Sequence, residues 1–196
     1  MKILKSGVEI AVQNVVASAK LGHSIDLDAV VVAFPEVEYR PEVFPGLAFK
    51  LKKPKTCTLL FSSGSMVCTG AKSVKDARKA VLKVVGKLKR EGILVRLSKP
   101  EITIQNIVAK GSLNGAMIDI EKLHESARFD DEVRTMYEPE QFPGLMYRME
   151  DPRVVFLVFC TGQLVCVGAK REEDVYTATE KLVTTLEEMG VIYKEK

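Results

Sequence analysis

Tryptophan is absent from this 196-residue chain, histidine occurs twice, and the four cysteines include no Cys-x-x-Cys pair. His23 and His124 lie far apart in sequence, so the clustered ligands that a zinc site needs are missing. Cys57, Cys68, Cys160 and Cys166 read instead as buried, reduced thiols on strands. No apolar run approaches the roughly 18 residues of a membrane helix. Glu9, Gln13 and Asn14 interrupt the stretch that a signal peptide would keep apolar. A cytosolic or nuclear protein is expected. No nucleophile–base pair, phosphate loop or metal cluster stands out, so neither catalysis nor a cofactor is expected.

What is present is a long internal repeat. Tyr39-Arg-Pro-Glu-Val-Phe-Pro-Gly-Leu returns 98 positions later as Tyr137-Glu-Pro-Glu-Gln-Phe-Pro-Gly-Leu. At the same offset, Phe61-Ser-Ser-Gly-Ser-Met-Val-Cys-Thr-Gly-Ala-Lys becomes Phe159-Cys-Thr-Gly-Gln-Leu-Val-Cys-Val-Gly-Ala-Lys. Ile10-Ala-Val-Gln-Asn-Val-Val-Ala matches Ile102-Thr-Ile-Gln-Asn-Ile-Val-Ala at an offset of 92. The period is too long for a solenoid, whose units run about 20–50 residues. Two related halves, residues 1–98 and 99–196, imply a pseudo-twofold body and a ligand with matching symmetry. A composition of 46% hydrophobic and 28% charged residues suffices for a real core.

The net charge of +3 conceals a polarity. Residues 1–98 carry 17 Lys and Arg against 8 Asp and Glu, and residues 99–196 carry 12 against 18, giving +9 and −6. One half suits a polyanion and the other a basic protein partner, or both are solvated faces that drifted apart.

Each half opens with an alternating strand, Val8–Ala17 or Ile102–Ala109, in which the even-numbered positions mark one face. A short helix follows near Ser24-Ile-Asp-Leu-Asp and Ile118-Asp-Ile-Glu-Lys-Leu. Short strands punctuated by Pro-Gly and Ser-Gly turns come next. A long amphipathic helix closes each half. The first has Ser73 as N-cap, Asp76 at the third position, an apolar stripe of Ala77, Ala80, Val81, Val84, Val85 and Leu88, and Gly92 as its stop. The second runs from Glu172 to Met189 with Val175, Ala178, Leu182, Val183 and Leu186 inward and Gly190 as its stop. Four helices and about ten strands make an α+β protein with helices gathered on one face of an antiparallel sheet. Thr58–Phe61 and Val154–Phe159 are apolar on both alternating faces, yet the helices cover only one. The other apolar face is expected to hold a partner.

Gln-Asn-x-Val, Glu-x-Phe-Pro-Gly-Leu and Phe-x-x-Gly-x-x-Val-Cys-x-Gly-Ala-Lys, each nearly repeated in the same order, resemble the TATA-box-binding protein family from about Val8 to Met189. Phe-Pro-Gly in both halves and the lack of a long N-terminal tail resemble its archaeal form. The resemblance implies a pseudo-twofold saddle, a curved antiparallel sheet with four helices on the convex face and DNA on the concave one. It implies a general transcription initiation factor, nucleoid-associated in the cytoplasm, that binds an AT-rich promoter element and recruits transcription factor B and, through it, RNA polymerase. Neither a membrane nor a small-molecule substrate is implied.

Carried over residue by residue, Asn14 and Asn106 would donate to acceptors on the minor-groove floor, which A·T and T·A pairs share. Val16, Val67, Val108 and Val165 would pack on base edges, and Leu59 and Leu157 would extend that surface. Phe44 with Phe61, and Phe142 with Phe159, would be wedges. Burying a phenylalanine yields about 1.5–3 kcal/mol and unstacking costs a few kcal/mol per step, so two rings per kink roughly offset it. Phe61 and Phe159 alone read equally well as core; Phe44 and Phe142, beside Pro-Gly turns, do not. Lys50, Arg148, Lys72 and Lys170 would contact phosphates.

The chain departs from the family pattern at three places. Thr69 keeps the usual threonine, but its counterpart is Val167. Ser65 and Gln163 stand where lysine is usual. Asn106 to Phe142 spans 36 positions against 30 from Asn14 to Phe44, so the segment 124–135 carries no assigned site. These departures leave open a divergent paralogue with weakened DNA binding that acts mainly as a protein-interaction or regulatory module. A DNA-repair enzyme built on the same half-fold would need a catalytic domain for which the chain has no room. Glu138, Glu140 and Gln141 would dock transcription factor B. The basic face of the first long helix (Lys75, Arg78, Lys79, Lys83, Lys87, Arg90) would meet an acidic regulator or water.

Overall fold

A computed structural model describes residues 1–96, 99–127 and 133–194. In chain order its elements are β1 (Lys2–Ile3), β2 (Glu9–Lys20), α1 (Leu27–Ala33), β3 (Glu38–Arg40), β4 (Phe44–Leu51), β5 (Thr56–Leu60), β6 (Ser65–Ala71), α2 (Val74–Arg90), β7 (Ile102–Ser112), β8 (Met117–Ile118), α3 (Ile120–Ala127), β9 (Val133–Met136), β10 (Leu145–Met149), β11 (Val154–Val158), β12 (Gln163–Ala169), α4 (Glu172–Glu188) and β13 (Ile192–Tyr193). The described residues thus form an α+β protein with antiparallel sheet.

The chain divides into two compact units, residues 14–105 and residues 1–13 with 106–196. These are cut differently from the sequence repeats, because the leading residues of β2 and β7 each fall in the unit built by the other half. In the 14–105 unit the strands run β3-β4-β5-β6-β2; in the 106–196 unit they run β9-β10-β11-β12-β7. Every pairing is antiparallel.

The long helices form where the capping residues place them. Ser73 Oγ accepts from the Asp76 N–H at 3.1 Å, and Asp76 in turn sits in the positive first turn of α2. The stripe Ala77, Ala80, Val81, Val84, Val85 and Leu88 is buried and packs on β5 and β6. Gly92, at φ 77°, ends α2, and the Ile93 N–H closes back on the Leu88 carbonyl at 3.0 Å. In α4, Val175, Ala178, Leu182, Val183 and Leu186 are buried against β12, and Gly190 ends the helix at φ 61°.

The strands sort their residues strictly. On β5, Thr56, Thr58 and Leu60 are buried while Cys57 and Leu59 stay partly open; on β11, Val154, Phe156 and Val158 are buried while Val155 and Leu157 stay partly open. Each unit therefore has one covered and one uncovered apolar sheet face, as the double-sided strands require.

Three expectations need correction. Alternation does not hold through β2 and β7: Val8 and Ile10 are buried, then Val15, Ala17 and Ala19; Ile104 is buried, then Ile107, Ala109 and Gly111. The switch comes at Gln13–Asn14 and Gln105–Asn106, which is where the compact units meet along the chain. A bulge in each partner strand lies just past this switch. β6 has one extra residue between the partners of Val15 and Ala17, and β12 one extra between the partners of Ile107 and Val108. Each bulge resets which side chains face which side on the strand that carries it, so Cys68 and then Ala71 are buried on β6, and Cys166 and then Ala169 on β12. Second, Phe44-Pro45-Gly46 is not a turn but the start of β4; Pro45 precedes Leu47, the first residue paired to β5, so its missing N–H costs no ladder bond there. Third, the free thiols are not all buried: Cys68 and Cys166 are, Cys57 is half-buried, and Cys160 is exposed in the turn after β11.

Candidate nucleic-acid interface

The uncovered faces are built from rows of cross-strand neighbours. In the 14–105 unit one row is Ala48, Leu59, Val67 and Ser18, and the next holds Lys50, Cys57 and Thr69. In the 106–196 unit the rows are Met136, Met146, Leu157, Val165 and Lys110, then Arg134, Arg148, Val155, Val167 and Val108. Val67, Val165, Leu59, Leu157 and Val108 are all partly open. Val16 shares that partial exposure on β2. Sequence reasoning missed Lys110 and Arg134. Lys110 could have been found from its spacing of two from Val108; Arg134 could not, because nothing in its segment announces a strand.

The bulges position the asparagines. Gly70 and Gly168 sit at φ 93° and 104°, a conformation that favours glycine. The Asn14 Oδ1 accepts from the Gly70 N–H at 2.7 Å, and the Asn106 Oδ1 accepts from the Gly168 N–H at 2.8 Å. Because a backbone N–H can only donate, each amide is turned with its oxygen toward the bulge, leaving Nδ2 as the group available for an outside acceptor. The Asn14 Nδ2 also lies 3.2 Å from the Thr69 Oγ1. Asn106 has no such neighbour, since Val167 replaces the threonine, and its Nδ2 has no hydrogen-bond partner among the described residues.

The phenylalanines form two near-identical pairs. Phe44 and Phe61 meet edge to face with centroids 5.9 Å apart at 69°, and Phe142 and Phe159 at 5.8 Å and 68°. Phe44 and Phe142 are each 43% exposed, too open for core residues. Their bed is glycine. A Cβ on Gly46 would come within 2.5 Å of Phe44 Cε1 and 3.0 Å of Phe61 Cε1; on Gly144 it would meet Phe142 and Phe159 at 2.7 and 2.9 Å. The Phe-Pro-Gly motif thus carries its glycine to let the edges of both rings approach the backbone.

The cations differ between units. Lys50 is paired with Glu38, which raises the lysine and holds the carboxyl below its usual range, each mainly through their shared hydrogen bond. Arg148 is exposed with no acidic partner among the described residues. It borders a cavity of about 560 Å³ together with Arg153, Lys170, Glu150 and Asp174. Lys72 lines the matching cavity of about 390 Å³ beside Lys53, Lys55, Asp76 and Lys79. Glu138, Glu140 and Gln141 are exposed in a turn before β10, where the Gln141 and Phe142 N–H groups both donate to the Glu138 carbonyl at 3.0 Å. The turn thus leads directly into Phe142 and takes no part in the sheet rows.

Each unit thus presents an uncovered apolar strand face with a ring pair and an oriented amide on β2 or β7, and an open apolar face of this kind marks an interaction surface. The comparisons place the protein further. The sequence matches the family described as "Transcription factor TFIID (or TATA-binding protein, TBP)" over residues 9–91 and 101–189. It is 47% identical over 190 residues to the TATA-box-binding protein of Pyrobaculum calidifontis, covering 97% of this chain and 92% of that one. It is also 47% identical over 183 residues to that of Sulfurisphaera tokodaii, covering 93% and 89%. Its structure superimposes on Methanococcus jannaschii TBP with a TM-score of 0.78 at 45% identity, covering 92% and 99%. The chain belongs to the TATA-binding protein family of transcription factors. No described helix is long and apolar enough to cross a membrane.

Proposed function

We propose that the protein is a general transcription initiation factor that binds the minor groove of an AT-rich promoter element, kinks it, and recruits transcription factor B and thereby RNA polymerase. The single observation that carries the reading is the glycine-bedded phenylalanine pair, present in each unit and half open to solvent. Wedge insertion with kinking is already known of this family, and this chain holds the parts for it.

The amides of Asn14 and Asn106, oxygen inward, offer their N–H₂ groups to the purine N3 and thymine O2 acceptors of the groove floor. That floor distinguishes A·T from G·C but not A·T from T·A. Val16, Val67, Val108 and Val165 pack on base edges and crowd the guanine amino group. Each ring pair enters one base step, and the burial of two rings offsets its unstacking. Lys72, Arg148 and Lys170 hold phosphates, whereas Glu38 weakens Lys50 in that role. Glu138, Glu140 and Gln141 dock transcription factor B. A gel shift on an AT-rich duplex, with and without purified transcription factor B, tests this. Specific binding should be lost when the element is changed to G·C, and the complex should supershift through Glu138, Glu140 and Gln141. Equal binding to both duplexes contradicts groove-floor reading; an unchanged supershift on substituting all three residues contradicts the docking turn.

A further inference from the structure

The outer strand of each unit brings a different charge to the equivalent basic residue of the open face, Lys50 in one and Arg148 in the other. In the 14–105 unit, Glu38 on β3 lies opposite Ala48 and pairs with Lys50 two residues on. In the 106–196 unit, the residue opposite Met146, the counterpart of Ala48, is Met136, which carries no charge. One step along, Arg134 lies directly opposite Arg148. Both arginines are exposed, and neither has an acidic partner among the described residues. Two like charges facing each other across an antiparallel pair are destabilising, and a pair of guanidiniums is the arrangement best suited to an anion with several oxygens. Arg148 stands on β10 in the row that continues through Val155 and Val167 to Val108, so an anion held there lies at the outer end of the surface offered to the groove.

We propose that Arg134 and Arg148 form a phosphate-binding subsite at the outer edge of the 106–196 unit, and that Glu38 cancels the equivalent subsite in the 14–105 unit. The inference rests on the DNA-binding reading above and adds a direction to it. The phosphate backbone is gripped more strongly at one end of the element, whose two ends the ring pairs treat alike. Arg134 is the new member, standing on a strand whose counterpart supplies an acid.

Full-length protein bound to a duplex carrying the element, measured over a range of KCl concentrations, tests it. Each phosphate contact contributes a slope of roughly 0.9 in log K against log salt. Arg134→Gln should lower the slope by roughly that amount, equivalent to about a threefold smaller loss of affinity between 50 and 200 mM salt. Arg134→Lys should largely restore it. Glu38→Gln, which releases Lys50, should raise the slope and tighten binding at low salt. Arg134→Gln should weaken AT-rich and G·C duplexes alike, since phosphate contacts carry no sequence information. Circular dichroism of each variant checks that it folds. If the wild type binds no DNA, the reading and the inference both fall. If it binds and Arg134→Gln leaves the slope unchanged, the inference alone falls. It falls equally if that variant keeps its slope yet loses transcription factor B, because the pair then serves a protein carboxylate.

Discussion

Gly46→Ala would put a methyl group where two aromatic rings already lie. The added Cβ would sit 2.5 Å from Phe44 Cε1 and 3.0 Å from Phe61 Cε1. The backbone at Gly46 is not left-handed, so the strain is confined to the rings. Phe44, 43% exposed, can swing away into solvent, and Phe61 need shift only a few tenths of an ångström. The lost edge-to-face contact costs about 0.5–1.5 kcal/mol. The restricted unfolded chain returns about 0.4–1 kcal/mol, so the melting temperature should move by no more than a few degrees. Binding responds differently. One displaced ring forfeits about 1.5–3 kcal/mol of burial in the complex, which is roughly 10- to 100-fold in affinity. Fluorescence anisotropy titration gives the affinity, energy transfer between end labels gives the bend, and a thermal melt gives stability. A folded Gly46→Ala protein that binds and bends as the wild type does would refute the wedge role of the Phe44–Phe61 pair. Gly144→Ala should behave the same way at the other pair.

Asn106→Ala should leave the Gly168 N–H without its acceptor and speed its amide exchange by about 2- to 10-fold, as expected for one hydrogen bond of about 0.5–1.5 kcal/mol; unchanged exchange would contradict the oriented amide. Val167→Thr should give Asn106 the hydroxyl neighbour that Asn14 already has in Thr69 and raise affinity for the AT-rich element. No gain would mean that the hydroxyl does not help orient the amide. Thiol labelling of the native protein near neutral pH should mark Cys160 first and spare Cys68 and Cys166, and fast reaction of Cys166 would contradict its burial. Burial also pushes the Cys166 thiol from 9.0 up to about 12. A raised value in the folded state adds stability that is complete below the unfolded value of 9.0 and is lost as the pH climbs toward about 12. Denaturant titrations should therefore show the wild type losing stability more steeply than Cys166→Ala over that range; parallel curves would refute it.

Local signals were legible wherever one segment decides its own structure. Ser73, Asp76 and Gly92 mark the ends of α2 through hydrogen bonds that each makes within a few residues. The apolar stripe of α4 follows from helical spacing alone. The open face was legible too, because apolar residues on both sides of β5 and β11 exceed what four helices can cover. What escaped depends on partners distant in sequence. The bulge on β6 shows only in its register against β2, where Val15 and Ala17 sit opposite Ala71 and Cys68. Phe44-Pro-Gly reads as a turn from composition, yet β3 and β5 draw it into a strand. The quenching of Lys50 by Glu38 spans 12 positions and requires β3 to fold back along β4. Arg134 became visible only when β9 paired with β10.

The account turns on the phenylalanine pairs bending DNA, and the bend angle of an end-labelled AT-rich duplex is its most direct measure. Energy transfer should report a sharp bend with the wild-type protein and with Lys170→Ala, and a much smaller one with Phe142→Ala at saturating protein. A Phe142→Ala complex bent as strongly as the wild type would contradict the central claim.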